Sequence, residues 1–151
     1  MERIYDKKKI AIYIAKSKYH AVLDSLNIDF YLIKYEKGEL VSSPFQNELL
    51  FQIAEQGSIN IYLIRDDGTR YSLSTGTADH FLGDMNIFYQ KNSNIYAEAA
   101  ERLVCIAFSI EKYKEILFSN NQFLILICNS LSAKIEAITA MDATPASLTE
   151  R

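Results

Sequence analysis

The residues able to do chemistry in this chain are few, and they are scattered. There are two histidines, His20 and His80, and two cysteines, Cys105 and Cys128. Metal-assisted catalysis inside a β-barrel needs two or three histidines and a carboxylate converging on one point. His20 falls in a helix-like stretch and His80 precedes Phe81-Leu82-Gly83, so they read as a surface and a turn residue. Cys105 and Cys128 sit in the apolar runs Val104-Cys105-Ile106-Ala107-Phe108 and Ile125-Leu126-Ile127-Cys128. Such cysteines behave as small hydrophobes. They supply neither a disulfide framework nor an iron–sulfur cluster, and they fit a reducing cytoplasm. No Ser/His/Asp set, nucleophile elbow or phosphate loop is found. The reading assigns no catalytic residue, metal or cofactor and is not that of an enzyme.

Charge narrows the classes further. The net charge is −3 with a pI near 5.4, which is not the footprint of a nucleic-acid-binding surface. Lys7-Lys8-Lys9 is the one basic run and reads as a solvated helix face.

The elements that carry these residues follow from length and periodicity. A chain of 151 residues, 49% hydrophobic and 23% charged, is one globular domain with at most a short appendage. Met1-Glu2-Arg3 opens no signal peptide, and the apolar run Phe123 to Cys128 is too short to cross a bilayer. Residues 1–28 read as a helical segment, with Ile12, Ala15, Tyr19, Val22 and Leu26 at three- and four-residue spacing. The alternation Ile10, Ile12, Ile14 also fits a short strand.

Residues 29–119 read as one domain, and over about 29–108 of it the apolar period becomes two, as in Ile59, Ile61, Leu63 and in Leu49, Phe51, Ile53. All five glycines fall here. Asp66-Asp67-Gly68-Thr69 is a hairpin signal, since Asp and Gly tolerate positive φ. Glu55-Gln56-Gly57-Ser58 and Ser74-Thr75-Gly76-Thr77 are weaker turns of the same kind. Many short strands between turns predict a sandwich or barrel. Ser109 is placed to cap a short helix over 110–118. Ser119-Asn120-Asn121 breaks it, and a long helix follows over residues 120–140.

Within that helix Leu124, Cys128, Leu131, Ile135 and Ile138 repeat at four-three-four-three spacing, the seam of a coiled coil. The half from Phe123 to Cys128 is apolar on every side and must be buried on more than one face. A second copy of the same helix is the simplest partner; packing on the chain's own core is the other reading. Residues 141–151 read as a linker followed by the start of another element.

The order of these elements resembles the Crp/Fnr family of bacterial transcription regulators, and within it their N-terminal cyclic-nucleotide-binding-like domain. The residues that carry the resemblance begin with Tyr35-Glu36-Lys37-Gly38-Glu39-Leu40-Val41 and the step Phe51 to Ile59 around Gly57. Asp67-Gly68-Thr69, Phe81-Leu82-Gly83-Asp84-Met85, Ser109-Ile110-Glu111-Lys112-Tyr113 and Leu148-Thr149-Glu150-Arg151 follow. The resemblance covers roughly residues 30–151 and rests on order and spacing rather than on any one motif. It implies a jelly-roll β-roll (a double-stranded β-helix), mainly β with flanking helices, dimerised through the long helix. It implies a sensor that relays an effector signal to a helix-turn-helix DNA-binding domain absent from this chain. The alternative is a stand-alone module of the same fold, its ligand site degenerate, acting in binding or as a scaffold.

The resemblance also implies a phosphate-binding cassette. In its cyclic-nucleotide-binding members, N–H groups near a glycine cradle the phosphate, a carboxylate takes the ribose hydroxyl, and an arginine neutralises the phosphate charge. Gly83, Asp84 and Met85 keep the front of that cassette. The back reads Asn92-Ser93-Asn94-Ile95-Tyr96, and no arginine lies between Arg70 and Arg102. Losing such a contact costs about 1.5–3 kcal/mol, roughly ten- to a hundredfold in affinity, which argues against cyclic AMP as the effector. Asn94, Tyr62, Tyr71 and Tyr96 are the candidates to line a pocket for another small molecule. On the long helix Asn129, Lys134 and Thr139 offer polar contacts, with Lys134 expected to face solvent.

Overall fold

Segments 50–56 and 103–109 are apolar at both odd and even positions, which requires a sheet covered on both faces. The computed structural model, which describes residues 1–46, 48–76, 81–87 and 94–142, has such a sheet. Strands β1 (Glu2–Ile4), β2 (Tyr31–Tyr35), β4 (Leu50–Gln56), β7 (Phe81–Leu82) and β9 (Leu103–Ser109) form it in the order β1-β2-β9-β4-β7. Strands β3 (Leu40–Ser42), β5 (Ile59–Ile64), β6 (Arg70–Gly76) and β8 (Ile95–Ala99) form a second sheet in the order β3-β8-β5-β6. Every pairing is antiparallel. This is a β-rich jelly roll with flanking helices, as the spacing and the resemblance predict.

The two faces of the first sheet meet different partners. Leu32, Phe51, Ile53, Ile106 and Phe108 pack on the helices. Ile33, Tyr35, Ala54, Cys105 and Ala107 face the second sheet, which answers with Ile59, Ala97 and Ala99. Gln52, buried between the sheets, accepts from the Tyr35 hydroxyl at 2.7 Å and donates to the Val41 carbonyl at 3.3 Å. It thereby bridges the first sheet to β3 of the second.

The N-terminal segment is less uniform than its periodicity implies. It begins as a strand, β1, and then forms two helices, α1 (Lys7–Lys16) and α2 (His20–Ser25). The Asp6 carboxylate caps α1 by accepting from the Lys8 and Lys9 amides. At Ser17 the chain turns extended, with ψ 141°, and this buried residue accepts the Tyr19 amide on its hydroxyl. Within α1 Ile12 is 52% exposed, while Ile10 joins Leu23 and Leu26 in the core. Lys7, Lys8 and Lys9 are exposed.

The Asp66–Thr69 hairpin joins β5 to β6, with Gly68 at φ 85°. Around Gly57 the chain passes from the first sheet to the second. Ser74-Thr75-Gly76 is not a turn: it continues β6, paired with Ile61, Asn60 and Ile59 of β5. The Ser109 hydroxyl accepts the Lys112 amide, holding a turn, so helix α3 spans Lys114–Phe118 rather than 110–118. The long helix α4 spans Asn121–Asp142. Its N-cap is Asn120, whose side-chain oxygen accepts the Phe123 amide at 2.9 Å and whose Nδ2 reaches the Ser25 hydroxyl at 3.1 Å.

Candidate functional site

Gly83 makes the site possible. Strand β7 pairs with β4, Leu82 opposite Gln52 and Phe81 opposite Ile53. The chain then leaves β4 with Gly83 at φ 93°, and a Cβ there would lie 2.2 Å from the Leu50 carbonyl oxygen. Only glycine fits both the left-handed backbone and that close approach. A 3-10 turn, Asp84–Asn86, follows and directs the Asp84 carboxylate at α4.

Asp84 is 1% exposed and has no free face. Oδ2 accepts from the Ser130 hydroxyl at 2.6 Å, and Oδ1 accepts from Lys134 Nζ at 2.6 Å and from the Met85 amide at 3.0 Å. Lys134 Nζ also donates to the Phe81 carbonyl at 3.1 Å. Both lysine contacts thus fall on the segment 81–84. Breaking a buried ion pair by removing one partner costs on the order of 3–5 kcal/mol; Lys134 is 27% exposed, which places this pair at or below the lower end.

Lys134 therefore does not face solvent as its sequence neighbourhood implies. On α4 the line turned to the roll is Phe123 and Ile127, both buried, then Ser130 and Lys134, both part-buried. At about 100° per residue this line runs beside the proposed seam, one residue out of phase. The N-terminal half of the line enters an aromatic cluster: Phe123 meets Phe51 at 5.5 Å and Phe108 at 6.1 Å, and Phe51 meets Phe81 at 5.4 Å. Apolar packing anchors the start of α4 and the Asp84 contacts anchor its middle. The signal for Ser130 was its four-three-four spacing with Phe123, Ile127 and Lys134: two polar residues prolonging an apolar line need a polar partner.

The seam residues fare unevenly. Leu124 is half-buried, Leu131 packs partly on the chain's own core, Cys128 is exposed and Ile135 is 65% exposed. Ile125, in the stretch expected to be buried on more than one face, is 61% exposed. Ile138 lies in α4, within the described helix.

The other candidates do not gather at Asp84. In β5 and β8 the inward positions are Ile59, Ile61, Ala97 and Ala99, so Tyr62 and Tyr96 stand on the outer face of the second sheet. There their rings stack at 5.4 Å, with the Arg70 guanidinium 3.5 Å above Tyr62 and paired to Glu98 at 2.7 Å. Tyr71 is exposed beneath the Arg65 guanidinium. Asn94 is exposed, and Met85 meets Asp84 through its backbone amide only, its side chain being exposed. Arg102 pairs with Glu36 at 3.2 Å, so both arginines that bracket the cassette are engaged elsewhere. His80, Lys91, Asn92, Ser93 and the 143–151 tail lie outside the described residues. Among the described residues no group of three or more His, Cys, Asp and Glu could hold a metal, and no helix is long and apolar enough to cross a membrane.

No family model matches the chain, and no curated protein matches it in sequence. Solved structures do match in fold. A CooA mutant from Carboxydothermus hydrogenoformans aligns at TM-score 0.63 and 16% identity over 91% of this chain and 88% of that one. The c-di-GMP responsive global regulator CLP of Xanthomonas campestris aligns at TM-score 0.68 and 16% identity over 91% of this chain and 63% of that one. Oxidized CprK in complex with o-chlorophenolacetic acid aligns at TM-score 0.62 and 18% identity, over 93% of this chain and 52% of that one. These are Crp/Fnr-family regulators, and this chain has the jelly-roll fold of their cyclic-nucleotide-binding domains. It spans roughly half to two thirds of the CprK and CLP chains.

Proposed function

We propose that this chain is the sensor and dimerisation part of a Crp/Fnr-type transcription regulator. Two copies pair through α4, and a shift of the roll or of that helix is relayed to a helix-turn-helix domain outside these residues. DNA is touched by that domain alone, consistent with the acidic charge of this chain. The reading is that of a cytoplasmic, non-enzymatic protein with no membrane partner.

The observation that carries the proposal is the division of α4 into two faces. One face, from Phe123 to Lys134, is spent on the roll and the cassette segment. The adjoining face presents Cys128 and Ile135 outward, with the half-buried Leu124 and Leu131 in line with them. An apolar line of that spacing, exposed on a single copy, matches what a paired helix buries. The effector is a small molecule other than cyclic AMP. Asp84 is already saturated, and the arginines flanking the cassette are used elsewhere. The matched fold serves a c-di-GMP responsive CLP and a CprK holding o-chlorophenolacetic acid as well as a cAMP-bound PfPKA-R, so it is the site residues, not the fold, that argue against cyclic AMP.

The test is the oligomeric state. Ile135→Glu alters the outward face alone, whereas Leu131→Glu would also disturb the chain's own core. Sedimentation is expected to give a dimer for the parent at micromolar concentration and a folded monomer for Ile135→Glu. A parent that sediments as a monomer removes the dimer and favours a stand-alone binding or scaffold module. Millimolar cyclic AMP or cyclic GMP is expected to leave the melting midpoint unmoved. A ligand at a hundred times its Kd would add about 2.7 kcal/mol and move the midpoint by several degrees.

A further inference from the structure

We propose that Ser130 and Lys134 are an occupant built into the cassette, which clamps α4 to the roll when no effector is bound. The inference deepens the reading of this roll as an effector domain and rests on it. In the resemblance, the carboxylate after the cassette glycine is kept for a ligand's ribose hydroxyl. Here that carboxylate, Asp84, receives a hydroxyl and an ammonium from the long helix, both at 2.6 Å.

Three features separate this clamp from an incidental ion pair. The first is burial, because Asp84 is 1% exposed and a carboxylate so placed must be fully satisfied. The second is reach: Ser130 and Lys134 lie 46 and 50 residues away from the chain positions they bind, so the contacts join the helix to the roll and nothing local. The third is the second lysine bond, to the Phe81 carbonyl, which holds the end of β7 as well as the turn after it. A side chain in contact with two points of the cassette segment senses any movement of that segment against α4. Ser130 and Lys134 thus set the specificity of the roll: a ribose-bearing ligand reaches Asp84 only by displacing them.

Amide hydrogen exchange on the intact chain tests this, since it reads local opening residue by residue. Asp84→Asn and Lys134→Met are each expected to speed exchange at least tenfold for residues 124–134 of α4. Amides of β4 and β9 should stay within about twofold of the parent. The double variant is expected to be no worse than the more severe single one, as for residues acting through one contact. Lys134→Arg, which keeps the cation, should retain most of the protection, and Ser130→Ala should lose an intermediate amount. Unchanged α4 exchange in Lys134→Met overturns the proposal. So does faster exchange spread equally over α4 and the sheets, or an additive double variant. If Lys134→Met does not fold, Ser130→Ala and Lys134→Arg decide by the same α4-to-sheet ratio. The measurement works in monomer or dimer, so failure of the pairing through Ile135 leaves it decidable.

Discussion

At the scale of single residues, burial decides which side chains are reactive. Cys105 lies between the sheets, and burial first, then the Glu55 charge, pushes its thiol well above the ordinary range. Cys128 is exposed on α4. A thiol reagent is therefore expected to modify one cysteine in the native monomer and both after denaturation, counted by mass. Gly83 gives a second prediction. Gly83→Ala forces a side chain into left-handed backbone and onto the Leu50 carbonyl, at a cost of about 1–3 kcal/mol or more. The melting midpoint should fall by about 2–4 °C per kcal/mol, read by circular dichroism. Gly83 was legible in the sequence as a turn glycine. The use made of Asp84 was not, because its partners are 46 and 50 residues away and no local pattern links them.

At the scale of elements, the hairpin at Asp67-Gly68 and the strands of period two were legible because their causes are local. The N-terminal helices were read as one because three- and four-residue spacing persists across Ser17, where a buried serine turns the chain. The placement of the tyrosines is not legible in the sequence for a different reason. Alternation says that Tyr62 and Ile61 point opposite ways, but not which way is inward. The packing decides that: the inter-sheet core takes Ile59, Ile61, Ala97 and Ala99 from β5 and β8, with Tyr35 as its aromatic member, and so leaves Tyr62 and Tyr96 on the other face. On α4, the seam and the buried line are parallel registers one residue apart, and periodicity cannot rank them. The difference is measurable through Cys128, which lies on the seam. Modification of its thiol is expected to slow as protein concentration rises through the dimerisation range, and Ile135→Glu should abolish that dependence.

At the scale of the whole molecule, the two sheets are joined by an apolar core and, among the described residues, by the polar bridge Tyr35 to Gln52 to Val41. Burial drives the Tyr35 hydroxyl well above its ordinary value, as it does the Cys105 thiol. Both groups stay neutral in the native state at a pH where the unfolded chain has lost the protons. The unfolded state then binds fewer protons, so stability is intact below about pH 8.5 and declines as pH rises further. Each group contributes up to about 1.4 kcal/mol per pH unit above its unfolded pKa. Urea unfolding at about pH 7 and about pH 10.5 checks this. Cys105→Ala should make the decline shallower, and an unchanged midpoint at the higher pH would refute it.

The position of the Lys134 contact along α4 has a mechanical consequence. The helix has 22 residues, and Lys134 stands near its middle, eight residues before Asp142. At 1.5 Å per residue the segment beyond the contact is an arm of about 12 Å. Asp84 is then the fulcrum of a lever whose longer side, which carries Phe123, is held by the phenylalanine cluster. A tilt of about 10° at the fulcrum swings the far end by roughly 2 Å. A displacement of that size would be set by where one carboxylate grips the rod, not by the size of any molecule that enters the roll.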